Sequence, residues 1–385
     1  MQTELINTEL IIAALLLIAA LVAWFTKLVR FPYTVGLVIV GVLITMLMPQ
    51  KPELTPALAR ELILLILLPP LVFEAALHIE LSEFRNNLLS MLVFAIPGVL
   101  VTTVLVGWLL ATVTGLPLIT MLVFGALIAA TDPVAVTAIF RELGLPKRLG
   151  LLMEGESLLN DATAIVVFTL LLEFALNPVG FSFSQGIVEF VRVSGVGLFV
   201  GFALGYVAYH LIRQIDDYLV ETVLSAVLAY GSYLLAEQVH ASGVLAVLAS
   251  GLLIGNSGRR YGMSHTTRNV LIHIWEFMAF LANTFVFLLI GLQVDLDKLF
   301  DSISLIGIAI IVTLLARMIT VFGFSPLLNR FAPNRTPFSW QSVLVWGGLR
   351  GGIALALALT LPSNLVGYDE VLVMTFGVVL FTLGV

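Results

Sequence analysis

Apolar runs follow one another along this chain, separated by short polar breaks, and most have the length of about 17 to 25 residues that a helix needs to cross a hydrocarbon core. They fall at 9–29, 33–48, 60–79, 88–112, 119–140, 157–177, 187–212, 218–239, 243–257, 270–292, 303–328, 340–361 and 371–385. Thirteen such runs leave no room for a soluble domain, so the pattern predicts an all-α polytopic membrane protein of about thirteen transmembrane helices. The last run holds only 15 residues, which predicts a thin final helix or a chain cut within it.

Composition sharpens this reading. Sixty per cent of the 385 residues are apolar and 11% are charged, unlike an ordinary soluble domain. The basic residues then set the orientation, because short cytoplasmic loops collect Lys and Arg. The odd-numbered connections hold twelve, among them Lys27, Arg148, Arg213 and Arg330, against four in the even-numbered ones, Lys51, Arg60, Arg192 and Lys298. This asymmetry puts the N-terminus outside and residue 385 on the cytoplasmic side of a plasma (inner) membrane. There is no cysteine, which excludes disulfides and thiolate metal sites. The net charge of −6 is spread over loops on two sides of a membrane and gives no reason to expect a nucleic-acid partner. The first run lacks the basic flank and small-residue cleavage site of a signal peptide, so it is read as retained.

An ionisable side chain inside a membrane helix costs about 2.5–3.5 kcal/mol on insertion scales and usually faces a cavity or a partner. Glu74, Asp132, Asp161, Glu173, Glu237, Glu276, Arg317 and Arg350 lie in apolar runs, with Glu156 at a helix entrance. Glu173 and Glu237 are near enough to a run's end to reach the interface, whereas Asp132, Asp161 and Arg350 fall near mid-span. Asp132 belongs to ATDPVAVTAIF, 130–140. Pro133 removes a backbone donor and disfavours helical angles at the residue before it, so the fifth span should break at Thr131–Asp132. A break at membrane depth is tolerated only where the backbone is buried in protein or lines a cavity. A simple proline kink would need no aspartate.

The stretch MEGESLLNDATAIVVF, 153–168, carries acids straight into the sixth run. Ser157 and Asp161 are four apart and share one helix face, with Glu156 and Asn160 in the next row. Acids near a helix start are favoured by the backbone dipole, which accounts for Glu154 but not for Asp161, deeper in. Hard cations take oxygen ligands. Asp161, Ser157, Asp132 and the freed carbonyl of Thr131 supply a small, partly dehydrated site of that kind. Burial also favours the neutral form of a carboxyl group, and one group able to hold either H⁺ or a metal cation is the minimal part of an exchanger.

WGGLRGGIALALAL, 346–359, packs Gly347, Gly348, Gly351 and Gly352 around Arg350 in the twelfth run. Glycines alone also serve close helix packing; with a buried arginine among them they predict a second interrupted helix, as in transporters built from inverted repeats. Two six-helix repeats of opposite topology would then flank the seventh run. Span three, with Pro69, Pro70 and Glu74, pairs with span ten, with Glu276.

At these residues the chain resembles the monovalent cation:proton antiporters of the NhaP and sodium/proton-exchanger type. LLPPLVFEAAL (67–77), ATDPVAVTAIF (130–140), EGESLLNDATAIVVF (154–168), ARMITVF (316–322) and GGLRGGIALALAL (347–359) carry the resemblance, in order, from the third span to the twelfth. It implies a scaffold that dimerises and a mobile six-helix core in which the fifth and twelfth helices are unwound and cross. The corresponding division is 1–87 scaffold, 88–177 core, 178–217 linker helix, 218–302 scaffold and 303–385 core. It further implies that Asp161 carries cation and proton beside Asp132, Ser157 and the Thr131 carbonyl, that Glu74 faces the site from the scaffold, and that Asn160 belongs to an Asn-Asp pair linked to electroneutral exchange. Glu156 and Arg317 match a structural ion pair, and Arg350 the arginine of the second broken helix. The implied activity is Na⁺/H⁺ antiport serving pH and sodium homeostasis, with no cofactor beyond the transported ions and a homodimer as the assembly.

Other classes fare less well. An intramembrane aspartic protease shares one proton between two carboxyls, but its Gly-x-Gly-Asp motif is absent. A cation channel favours rings of repeated selectivity elements, whereas the buried polar residues here are few and unlike one another. K⁺/H⁺ antiport is the alternative cargo for the same parts.

Overall fold

The computed structural model describes residues 2–29, 31–47, 61–133, 136–137, 140, 144–177, 183–258, 265–294, 296–331 and 334–384. Each apolar run contains helix among its described residues, and no strand occurs among the described residues. In chain order the helices are α1 (Gln2–Val29), α2 (Tyr33–Leu47), α3 (Leu68–His78), α4 (Leu81–Ala95), α5 (Pro97–Thr114), α6 (Leu118–Ala129), α7 (Lys147–Leu176), α8 (Phe183–Ile212), α9 (Tyr218–Gln238), α10 (Gly243–Leu253), α11 (His265–Gln293), α12 (Leu296–Asp301), α13 (Ile303–Phe331), α14 (Phe338–Trp346), α15 (Gly352–Ala358) and α16 (Tyr368–Gly384). Among the described residues six helical stretches are each long and apolar enough to cross a membrane: Leu81–Thr114, Lys147–Leu176, Ser184–Ile212, Tyr218–Gln238, Thr267–Gln293 and Ile303–Phe331.

Local chemistry explains the interruptions. Pro97 opens α5 directly after Ile96 and bends the α4–α5 rod there, since proline accepts the first helical position but cannot donate backward. Pro69 and Pro70 open α3 in the same way, and the backbone before them widens into a π-turn, Leu62–Leu67. A second π-turn, Ile254–Gly258, ends α10. The fifth span breaks slightly earlier than Pro133 alone predicts: α6 stops at Ala129, and Ala130 is already extended with ψ 139°. The twelfth breaks over 347–351, between α14 and α15.

One expectation fails. α7 begins at Lys147, well before the apolar run at 157, so Glu154 and Glu156 lie inside the helix and its N-terminal dipole does not account for them.

The helices sort into two packing groups. In one, α2 lies along α11, α3 packs on α10 and α11, and α8, α9 and α10 pack on one another. Contact there is close: a Cβ on Gly41 would stand 2.7 Å from the Leu288 carbonyl oxygen and 2.8 Å from the Gly291 Cα. Phe73 of α3 and Trp275 of α11 bring their rings to 4.5 Å. In the other group α5 packs on α6 and α13, α7 on α4 and α6, and α16 on α13 and α15. The groups touch where α11 meets α15, where α7 meets α3, α8 and α10, and where α2 meets α16. Both broken spans belong to the second group.

Candidate functional site

The two breaks meet. The Asp132 N–H donates to the Leu349 carbonyl at 2.8 Å, which joins the first break to the second. The chain is non-helical over 130–133, and the glycines leave space for it: a Cβ on Gly351 would run into the Asp132 side chain. Arg350, 1% exposed, donates through Nη1 to the carbonyls of Ala129 at 3.2 Å and Ala130 at 3.1 Å. These are the carbonyls that α6 leaves without helical partners, at the end of the helix where its dipole is negative. The Arg350 N–H donates to Thr382 Oγ1 of α16 at 3.1 Å, while its Nε–H has no hydrogen-bond partner among the described residues.

The second break has its own arginine. Arg317 of α13 donates to the Leu344 carbonyl near the end of α14, from Nε at 3.3 Å and from Nη2 at 3.0 Å. Its Nη1 meets Glu156 Oε1 at 2.5 Å, with both side chains buried. A Cβ on Gly348 would stand 2.7 Å from Arg317 Nε, so the guanidinium reaches the carbonyl through space that only glycine leaves.

Around Thr131 the polar groups predicted from the sequence assemble on α7. Ser157 Oγ donates to the Thr131 carbonyl at 2.5 Å, Asn160 Nδ2 donates to Thr131 Oγ1 at 2.7 Å, and the Thr131 N–H donates to Asn160 Oδ1 at 3.3 Å. All three residues are buried. The Thr131 carbonyl is therefore not bare, as the break alone suggests; it keeps one lone pair beyond the one Ser157 engages, and the Ser157 hydroxyl likewise keeps acceptor capacity. Asp161 lies one turn along the same face, partly exposed despite its depth. Among the described residues no hydrogen bond or ion pair reaches its carboxylate, and Asp132 is near enough to act on it electrostatically. The arrangement offers a hard cation one unengaged carboxylate with hydroxyl and carbonyl oxygens nearby.

Glu74 is engaged with a partner on its own helix. Its carboxylate pairs with His78 Nδ1 at 3.1 Å, and His78 Nε2 in turn meets Glu276 Oε1 at 3.6 Å, so Glu74 and Glu276, matched above as counterparts, are bridged by a histidine. Glu173 and Glu237 are exposed, as their positions near helix ends suggest. Glu221 of α9 escapes the sequence reading: it is fully buried, Oε1 accepts from Thr267 Oγ1 at 3.2 Å, and Oε2 has no hydrogen-bond partner among the described residues. Its proximity to the start of a run hid it; an acid inside an apolar run was the signal available.

Residues 14–385 match the family model described as "Sodium/hydrogen exchanger, transmembrane". The Na⁺/H⁺ antiporter ApNhaP of Aphanothece halophytica is 43% identical over 354 residues, covering 92% of this chain and 67% of the relative. The Na⁺/H⁺ antiporter NhaH of Halobacillus dabanensis is 33% identical, covering 97% of this chain and 93% of the relative. In fold, the chain superposes on the sodium proton antiporter MjNhaP1 from Methanocaldococcus jannaschii with a TM-score of 0.83 at 22% identity, covering 99% of this chain and 98% of that one. With the family model spanning nearly the whole chain and relatives above 30% identity at high coverage, this all-helical membrane protein belongs to the sodium/hydrogen exchanger family.

Proposed function

We propose that the chain is a secondary active antiporter that exchanges Na⁺ for H⁺, one for one, by alternating access, with both ions competing for Asp161. The observation that carries this reading is the state of that carboxylate: deep in the protein, partly exposed, and unengaged among the described residues. A bare carboxylate is costly to move through a region of low dielectric. Neutralised by a proton or by a cation it moves at much lower cost, so the empty form stays where it is and transport in one direction is tied to transport in the other.

The remaining residues take supporting parts. Ser157, the Thr131 carbonyl and Asp132 complete the coordination of a partly dehydrated cation, and Glu74 approaches from the opposite packing group once released from His78. Asn160 fixes Thr131 through an amide that does not titrate, so it adds no second proton to the cycle and favours electroneutral exchange. Arg350 and Arg317 neutralise the carbonyl ends of the two half-helices, which keeps a broken backbone tolerable at membrane depth.

In this reading 1–87 and 218–302 form a dimerising scaffold, 88–177 and 303–385 a mobile core of opposite-topology repeats, and 178–217 the linker helix. The homodimer sits in a plasma (inner) membrane with the N-terminus outside and residue 385 on the cytoplasmic side, and its activity serves pH and sodium homeostasis. The relatives' names favour Na⁺ over K⁺ as cargo. The test is proton flux in reconstituted vesicles with Na⁺, Li⁺ and K⁺ added in turn: Na⁺ should drive it without net current, whereas current carried without a proton gradient would make the protein a channel.

A further inference from the structure

Between α3 and α4 the chain passes from the first packing group to the second in two non-helical residues, Ile79 and Glu80. α3 packs on α10 and α11, while α4 packs on α7. It is one of three connections between the groups, the others running from α7 to α8 and from α11 through α12 to α13, and motion of one group against the other is taken up at them. Its backbone is capped by neither of its own helices: the α4 N-cap residue, Glu80, makes no side-chain cap, and Ile79 is 3% exposed, which leaves little water for its carbonyl.

A single side chain from elsewhere satisfies both ends. Asn256, in the π-turn that closes α10, accepts from the Leu81 N–H at 2.7 Å through Oδ1 and donates to the Ile79 carbonyl at 2.9 Å through Nδ2. The same Nδ2 lies 2.9 Å from the Leu252 carbonyl on its own helix. Oδ1 thus caps the first turn of α4, and Nδ2 holds the last carbonyl before it. The turn sits close against α3, since a Cβ on Gly255 would stand 2.7 Å from the Leu77 carbonyl oxygen. A π-turn holds one residue more per turn than regular helix, and such turns recur at functional positions; here it aims Asn256 at the connection.

We infer that Asn256 is the positioning residue of a hinge at Ile79–Glu80, holding the pivot about which the α4–α7 group moves during transport. The inference rests on the scaffold-and-core reading proposed above. An asparagine suits this part because one amide serves a donor and an acceptor at once and carries no charge at the edge of the membrane. With both bonds intact, the start of α4 keeps a fixed pivot and the rest of the group swings as a body; without them, motion spreads into fraying of the first turn of α4 and the conformational step slows. Asn256 does not touch the residues around Asp161, so cation affinity is unaffected.

Two variants test this in reconstituted vesicles, with maximal rate per folded transporter, KM for Na⁺ and melting temperature all measured. Asn256→Ala removes both bonds. Leu81→Pro removes only the Leu81 donor, at an exposed first helical position that accepts proline, after Glu80 whose φ −76° and ψ 115° already suit a residue preceding proline. Each should lower the maximal rate, Asn256→Ala by about tenfold and Leu81→Pro by a few fold, with KM changed less than about twofold. If Asn256→Ala does not fold, Leu81→Pro decides. Unchanged maximal rates in folded variants, or a KM that rises while the rate holds, would overturn the hinge. So would failure of both variants to fold, which would assign Asn256 to stability alone. A wild type that exchanges no ions would strike the transport reading and the hinge with it, whereas an active wild type matched by both variants would strike the hinge alone.

Discussion

Arg317 Nη1 and Glu156 Oε1 meet at 2.5 Å, with the two side chains 8% and 3% exposed, across 161 positions of sequence. The pair joins α13 to the helix that carries Asp161, and the same guanidinium holds the Leu344 carbonyl. Removing one partner leaves the other charge buried without its counter-ion, at a cost of about 3–5 kcal/mol. Arg317→Ala and Glu156→Ala should each lower the melting temperature in detergent, and the double variant should lose less than the sum of the two. Additive losses would reject the pairing.

At the second break Gly351 has an ordinary φ of −117°, so its role is steric: a Cβ there would occupy the space of the Asp132 side chain. Gly351→Ala should therefore displace Asp132 and raise the KM for Na⁺ by about tenfold or more while the protein still melts cooperatively, an effect of one hydrogen bond or slightly more in energy. Gly307, where a Cβ meets nothing within 4 Å, is the control, and Gly307→Ala should leave KM unchanged. Equal behaviour of the two variants would remove the steric argument.

In the proposed reading the histidines are not the main source of pH dependence. His78 is engaged with Glu74 and Glu276, His273 Nδ1 meets Glu276 Oε2 at 3.1 Å, and His210 packs against Tyr206 and Tyr209 on its own helix. None of these contacts involves Asp161. Replacing all five histidines, His78, His210, His240, His265 and His273, should move the pH optimum of exchange by less than about one unit. A larger displacement in the vesicle assay would transfer the sensing role to them.

The sequence made the site's parts legible but not their joints. Pro133 beside Asp132 signalled the first break, glycines around Arg350 signalled the second, and the i, i+4 spacing placed Ser157 and Asp161 on one face. Each is a local rule acting on neighbouring residues. That the Asp132 N–H ends on Leu349, or that Arg350 reaches Ala129 and Ala130, depends on two segments more than 200 positions apart docking side by side, which no local rule encodes. Glu156 shows the cost of reading polarity alone: its surroundings look like a helix start until Arg317 supplies a buried partner. Asn256 gave no signal, because an asparagine after an apolar run reads as a helix end rather than as a cap for another chain segment.

The central claim is that proton and cation compete for the Asp161 carboxylate, and the KM for Na⁺ measured across about pH 5 to 9 in vesicles tests it most directly. Protonation and cation binding exclude each other at one carboxylate, so below the pH at which the site titrates the KM should rise about tenfold for each unit of falling pH. Above that pH it should level off, and at high pH the rate should fall because the proton-loaded return becomes scarce. The acid limb of the resulting bell should shift to lower pH as Na⁺ is raised, and Asp161→Asn, whose amide cannot release a proton, should abolish exchange. A KM that stays flat across this range while only the maximal rate changes would contradict the shared carboxylate.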